Sequence, residues 1–558
     1  MNTLIERNRN LEYVAEGLGK SCNWKEIFTH QRSNGSLFNS PATTAAALIQ
    51  CHDDKCFEYL NAVLEACNSW VPTIYPMDIH TRLCVVDTCE RLGIDSYFGN
   101  ELDIILDEIY SVWQDKEEEI FSDITSRAMA FRLLRMKGYD VSSDELAEFV
   151  DQEHFFHKVS IQYTGVTTVL ELFRASRVEY DLRNFHGTLN RVGNSLSIEL
   201  YDDDNFQILK TAHRCPTVHN KDFFLFSVQD FGISQAQYQN ELQEMERWYV
   251  ECRLDLLHQG RNTLRICYVT AALAIPDPKL SMARLSAAQI YVLVTCVDDF
   301  FDHYGSKEES LSIIELVSEW NVQPDTTYCS QEVEILFTAL YDTVNQIAAN
   351  AYIEQGRCVQ RVLVSMWLEL LDSFWREKDC WSENKISTLD EYLSFAWKSI
   401  AGKLSVLTSS HFLGIKISKD IYTSMECASL CKHASIVCRL LNDLKSFKRE
   451  QEEGVLNSVS IQTVKDGRAI SEEEAISNVQ QTIEYHRRKL RQMVLYQRKG
   501  SFVPRECKDL FWKTSMAAHW LYSDEGGDGF SSQQELVNDI KALVWESPEL
   551  PPLSKSMI

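Results

Sequence analysis

A chain of 558 residues exceeds one ordinary hydrophobic core and implies two domains. Hydrophobic residues at 45%, with only 21 Gly and 11 Pro, argue against a turn-rich β architecture and for helices. A formal charge of −26 excludes nucleic acid as a partner, because clustered Lys and Arg are what neutralise a phosphate backbone; an anionic substrate bridged by divalent cations remains compatible.

Met1 to Asn10 has neither a signal-peptide core nor the acid-poor, Ser-rich look of a transit peptide, so no targeting segment is expected. In the first half, Ala128 to Met136 and Thr167 to Arg177 carry apolar residues at helical spacing, punctuated by Gly35, Pro41 and Gly138. A polar, turn-prone stretch from about Asn184 to Lys221 reads as a junction between an N-terminal helical domain, 1–205, and a C-terminal one, 206–558. Beyond it the helices read longer and more apolar. Ile290 to Val297 is apolar all round, as suits a helix inside a bundle, and the pattern continues unbroken from Leu285 to His303, too long for a strand. No apolar run is expected to span a bilayer. The 17 cysteines are scattered without a C-x-x-C pair, which fits a reducing compartment; the densest cluster, Cys427, Cys431, His433 and Cys438, lacks zinc spacing and reads as core. The fold class is all-α.

Two constellations carry chemistry. Asp298 and Asp302 are four apart, so on a helix their carboxylates share one face with Asp299 beside them. Like charges at that spacing repel and call for a counter-ion; hard oxygen ligands imply Mg²⁺, which is typically held by one or two carboxylates plus substrate phosphates. A solvated acidic helix end is the plain alternative. Downstream, Asn442, Ser446 and Glu450 fall at i, i+4 and i+8 and offer a second oxygen-only face. With Asp443, Lys445, Lys448 and Arg449 around them, an amphipathic surface helix is the alternative here.

Together the two segments, D-D-x-x-D followed well downstream by N-D-x-x-S-x-x-x-E, resemble the paired metal signature of class I terpene synthases. The resemblance covers nearly the whole chain. Its first half is similar to kaurene-synthase-like plant diterpene synthases in Gly35-Ser-Leu-Phe-Asn-Ser-Pro41, Pro76-Met-Asp-Ile-His-Thr-Arg82 and Ala128-Met-Ala-Phe-Arg-Leu-Leu134, with miltiradiene synthases as the nearest kind. It implies a non-catalytic β domain followed by a catalytic α domain, with no γ domain. It also implies three Mg²⁺ ions, with Mn²⁺ as a substitute, held by Asp298, Asp302, Asn442, Ser446 and Glu450 with Asp299 in support. Arg439 and Arg261 would grip the diphosphate; of the family's R-x-R pair only Arg261 is present. No D-x-D-D occurs, so the cation is expected from ionisation, not protonation. The expected substrate is a prenyl diphosphate of the copalyl type, supplied by an upstream class II diterpene cyclase and converted to a polycyclic diterpene. Direct cyclisation of geranylgeranyl diphosphate is the alternative, with a prenyltransferase or an inactive helical scaffold behind it. The resemblance places the protein in the plastid stroma, with the cytosol as alternative, and leaves the oligomeric state open.

Holding a carbocation away from water calls for an apolar, aromatic pocket, each ring face offering roughly 0.5–2 kcal/mol of cation–π stabilisation. Tyr268, Phe301, Trp397, Trp520 and Tyr522 are candidates, and plain core is the competing reading for each. Gly402, beside Ala401, interrupts a helical pattern, and in the family a broken helix at this place faces the cation. Ser405 stands near an isoleucine of kaurene synthases; its hydroxyl either steers the cascade or only bonds the preceding helical turn. Tyr522, Asp528 and Phe530, with Gly526-Gly527, resemble a loop that closes over substrate.

Overall fold

The computed structural model of the protein describes residues 20, 22–32, 34–67, 71, 79–116, 124–146, 170–172, 174–175, 221–257, 263–322, 326–383, 388–453, 455, 457–465, 468–495, 501–522 and 534–547. The chain forms two compact units, one within 1–88, 98–134 and 141–175, the other within 89–97, 135–140 and 176–558. The expected junction, 184–220, and the boundary at 205 lie outside the described residues.

The first unit holds α1 (Trp24–Ile27), α2 (Pro41–Cys51), α3 (Asp54–Cys67), α5 (Gly99–Gln114) and most of α4 (Ile79–Arg91) and α6 (Ile124–Met136). Ser40 caps α2 by accepting the Thr43 amide, and Pro41 opens the helix at a position where its missing N–H costs nothing. The helical spacing read over Ala128 to Met136 is α6, which is buried on every side from Ser126 to Leu134. Within it the Arg132 guanidinium donates to Asp87 and Glu171, at 2.7 and 3.1 Å, so its buried charge is matched.

The second unit contains α7 (Lys221–Glu251), α8 (Thr263–Ala274), α9 (Ser281–Asp299), α10 (Lys307–Glu319), α11 (Gln331–Gln355), α12 (Gln360–Glu383) and α13 (Leu389–Leu393). It continues with α14 (Gly402–Ser410), α15 (Met425–Glu453), α16 (Ser458–Gln462), α17 (Glu472–Leu495), α18 (Arg505–Tyr522) and α19 (Gln534–Val544). Between α16 and α17 the two-residue strands β1 (Val464–Lys465) and β2 (Arg468–Ala469) pair antiparallel, Val464 opposite Ala469. α8 packs on α9 and α18, α9 on α14, and α15 on α17 and α18.

α9 is the centre of this bundle, buried at Ala283, Leu285, Ala288, Ile290, Val292, Leu293, Cys296 and Val297. Contrary to the sequence expectation, Pro278–Tyr304 is long and apolar enough to cross a bilayer, yet 67% of its most apolar window is buried among other helices. Its apolarity is that of a core helix. The second unexpected feature is that the α conformation stops at Asp299: Phe300–Tyr304 form a π turn, closed by the Gly305 amide donating to the Phe300 carbonyl at 2.7 Å. The reciprocal Ser306/Glu309 capping box then starts α10.

Candidate active site

Asp298 and Asp299, at the end of α9, and Asp302, in the π turn, line one cavity. π turns are rare and re-aim side chains relative to a regular helix, so Asp302 is placed by this widening and not by plain α spacing. Burial raises the Asp298 carboxyl well above the usual range, and its neighbours Asp302, Asp299 and Glu377 add to the effect against Arg439. Asp302 is open to solvent at the mouth, but the protein around it still displaces enough water to raise its pKa to about 6, with Arg439 opposing and Glu450 adding. Gly305 closes the turn against the buried Phe300 ring, which a Cβ would approach to 2.5 Å. Gly305→Ala is therefore expected to destabilise by about 1–3 kcal/mol through overpacking. A calorimetric melt and a turnover assay check this; an unaltered melt would show that the ring yields freely.

Across the cavity, α15 presents Arg439, Asn442 and Glu450. The surface-helix alternative fails, because Asp443, Ser446 and Glu450 are only 0%, 2% and 8% exposed. Asp443 points into the framework: its carboxylate accepts from the Tyr392 hydroxyl at 2.9 Å, from Arg439 Nε at 2.8 Å and from the Ser458 amide at 3.3 Å. Asn457 Nδ2 donates to the Asp443 carbonyl and to Glu450 Oε2, at 2.9 and 2.8 Å, which fixes the Glu450 carboxylate. Burial and then Asp443 raise the Glu450 pKa, with Arg439 opposing. Ser446 Oγ donates to the Asn442 carbonyl at 2.9 Å and is not among the lining residues. Arg439 is held by Tyr392 and Asp443 at Nε while Nη1 donates to Ser399 at 3.3 Å.

Sequence reasoning missed Glu377 on α12. It lines the same cavity, its Oε1 has no hydrogen-bond partner, and burial pushes its carboxyl up to about 7 against the pull of Arg439. In Arg376-Glu377-Lys378-Asp379 it reads as one charge among many, so only tertiary position marks it. Glu377, Asp298, Asp299, Asp302 and Glu450 thus crowd one mouth, a donor set suited to divalent cations. Among the described residues no three His, Cys, Asp or Glu side chains form a closed site for a single ion. An ion here therefore needs further oxygens, from Asn442, water or a bound phosphate, as Mg²⁺ commonly takes.

The inner wall differs from expectation. Of the five aromatic candidates only Tyr522 lines the cavity. Tyr268 is withdrawn into the bundle, its hydroxyl donating to Glu241 at 2.9 Å beside Arg284. Phe301 packs behind the turn against Phe300 and Phe374. Trp520 Nε1 donates to Asp539 at 3.0 Å, and Trp397 packs between two core clusters beside Lys398. Tyr291, unforeseen, lines the wall, next to the hydroxyls of Ser405 and Thr514. The helix break is present: residues 394–400 form turns, Ala401 is left-handed at φ 56°, and Gly402 starts α14. The glycine serves contact, not dihedral freedom, since a Cβ would come within 2.6 Å of Ser435 Oγ. Ser405 Oγ bonds the Gly402 carbonyl at 3.2 Å, and Ala401 and Gly402 line the cavity. Cys427 and Cys431 are buried with sulfurs 3.9 Å apart, while Cys438 reaches the cavity wall. Arg261, Gly526, Gly527, Asp528 and Phe530 lie outside the described residues.

Residues 250–489 match the family model described as terpene synthase family, metal binding domain, and residues 23–183 match the terpene synthase N-terminal domain. The chain belongs to the terpene synthase family. A nezukol synthase of Isodon rubescens is 51% identical over 97% of this chain and 74% of its own. A miltiradiene synthase of the same plant is 44% identical over 92% of this chain and 89% of its own. The solved abietadiene synthase from Abies grandis superposes with a TM-score of 0.77 at 26% identity, covering 96% of this chain and 77% of that one. This terpene synthase is accordingly a lyase that forms terpenoids from prenyl diphosphates with a divalent metal, on the family's helical fold.

Proposed function

We propose that this class I diterpene synthase ionises a copalyl-type diphosphate between the acidic mouth of α9 and the facing side of α15, and cyclises the resulting cation along the wall below. The observation that carries this is the convergence of Asp298, Asp299, Asp302, Arg439, Asn442 and Glu450 on one cavity whose lining also includes Val294, Ile400, Leu521 and Tyr522. The donor set fits Mg²⁺, with three ions expected and Mn²⁺ as a substitute. Asp298, Asp302, Asn442 and Glu450, which line the cavity, would hold them, joined by Ser446 once its hydroxyl turns from the Asn442 carbonyl toward the cavity, and Asp299 and Glu377 would support. When bound, the metal supplies Lewis-acid neutralisation of the leaving diphosphate.

The chain's own residues do the rest. The Arg439 guanidinium, fixed at Nε by Tyr392 and Asp443 and at Nη1 by Ser399, offers its remaining N–H donors to phosphate oxygens. Arg261 is its expected companion. Val294, Ile400 and Leu521 exclude water, and the Tyr522 ring offers a π face to the cation. The relative named a chloroplastic miltiradiene synthase supports a plastid location. The stroma as the compartment and a class II diterpene cyclase as supplier of substrate are the expectations that go with a copalyl-type substrate.

The test is direct. The protein is incubated with Mg²⁺ and, separately, with geranylgeranyl diphosphate and each copalyl diphosphate stereoisomer, and products are read by gas chromatography with mass spectrometry. A diterpene from one copalyl isomer is expected. A product from geranylgeranyl diphosphate alone would favour direct cyclisation, and no terpenoid from any of them would sink the reading.

A further inference from the structure

Next to Glu377 on α12, Lys378 does not line the cavity. Its Nζ instead donates to two carbonyls of the π-turn segment, Phe301 at 2.5 Å and Gly305 at 3.0 Å. Carbonyls at a helix end have no intrahelical donor, and here one ammonium from a helix more than seventy residues further along the chain serves both. Asp302, between the two tethered carbonyls, still faces the cavity.

We propose that Lys378 is a positioning residue for the metal-dependent reaction: by bridging the Phe301 and Gly305 carbonyls it keeps the turn in its π form and sets the direction of the Asp302 carboxylate. With the bridge removed, the turn is free to tighten toward α spacing, which rotates Asp302 about the helix axis relative to Asp298. The proposal rests on the reading of Asp302 as a metal-binding group.

The test uses the full chain with Lys378→Met, Lys378→Arg and Asp302→Ala. Two readouts do not depend on turnover: hydrogen exchange of the amides from 301 to 306 without metal, and the Mg²⁺ concentration at which inorganic diphosphate half-maximally raises the melting temperature. Lys378→Met is expected to speed exchange in the turn and raise the Mg²⁺ requirement by about 10-fold or more, the usual cost of removing an outer support of a metal ligand. Lys378→Arg is expected to restore most of it. A Lys378→Met protein that melts earlier but keeps the wild-type Mg²⁺ response would overturn the proposal, because a merely structural cap predicts that pattern. If Asp302→Ala loses the response while Lys378→Met keeps it, only the lysine's role falls; if Asp302→Ala also keeps it, the metal assignment of Asp302 falls too. Should Lys378→Met not fold, Lys378→Ala, which likewise has no side-chain donor for the Phe301 and Gly305 carbonyls, is read on the same scale, and a wild-type Mg²⁺ response from it overturns the proposal.

Discussion

Asp298→Ala and Asn442→Ala are each expected to cut turnover on the order of 10³-fold while leaving the helical circular dichroism and the metal-free melt intact. The two lose activity for the same reason and keep their fold for different ones. The Asp298 carboxyl is crowded by Asp302, Asp299 and Glu377, so removing it relieves repulsion in the metal-free protein. Asn442 offers its side chain to the cavity, while the Ser446 hydroxyl bonds its backbone carbonyl, a bond that alanine keeps. Asp443, one residue further, makes the contrast. It is fully buried and holds Tyr392, Arg439 and the Ser458 amide, so Asp443→Ala should lower the melt as well as the rate. Turnover is measured at saturating Mg²⁺ by product chromatography. Wild-type turnover from Asp298→Ala or Asn442→Ala would falsify their metal roles.

How far the sequence could be read follows from the range of the interactions. Asp298, Asn442 and Glu450 are legible because the chemistry is written at helical spacing within each segment, and the bundle brings the segments to one cavity. What escapes is set by partners far along the chain. The π turn at Phe300–Tyr304 is held by Lys378, and nothing local to Asp298-Asp299-Phe300-Phe301-Asp302 announces it. Glu377 hides in a run of charges whose surface look is undone only by the packing of α12. Tyr268 looked like a pocket aromatic because its partners, Glu241 and Arg284, lie on α7 and α9. Gly402 marked the helix break correctly but for another reason, since the left-handed residue is Ala401 and the glycine makes room for Ser435. Local pattern thus locates the charged motifs, whereas the cavity wall is decided by long-range packing.

Glu241→Ala is expected to destabilise the catalytic unit by about 3–5 kcal/mol, the cost of leaving one partner of a buried ion pair uncompensated. The Arg284 side chain is fully buried, and the Glu241 carboxylate accepts from its Nε at 2.8 Å and its Nη2 at 2.6 Å. Arg284 also donates to the carbonyls of Ile275 and Asp277, at 2.9 and 2.5 Å, and the Tyr268 hydroxyl completes the group. Burial works against the guanidinium charge, yet the hydrogen bonds to Glu241 more than offset it and keep the arginine cationic. Alanine at 241 leaves that cation with only neutral acceptors in the bundle core. The double replacement Glu241→Leu with Arg284→Met should recover most of the loss, because buried pairs replaced together by apolar residues of similar volume are often neutral. The comparison is read from denaturant-induced loss of helical signal. If the single change costs less than the double, the pair does not hold α7 and α9 together and packing alone does; the expected ordering makes the pair, to which the Tyr268 hydroxyl is bonded, part of the framework of the catalytic unit.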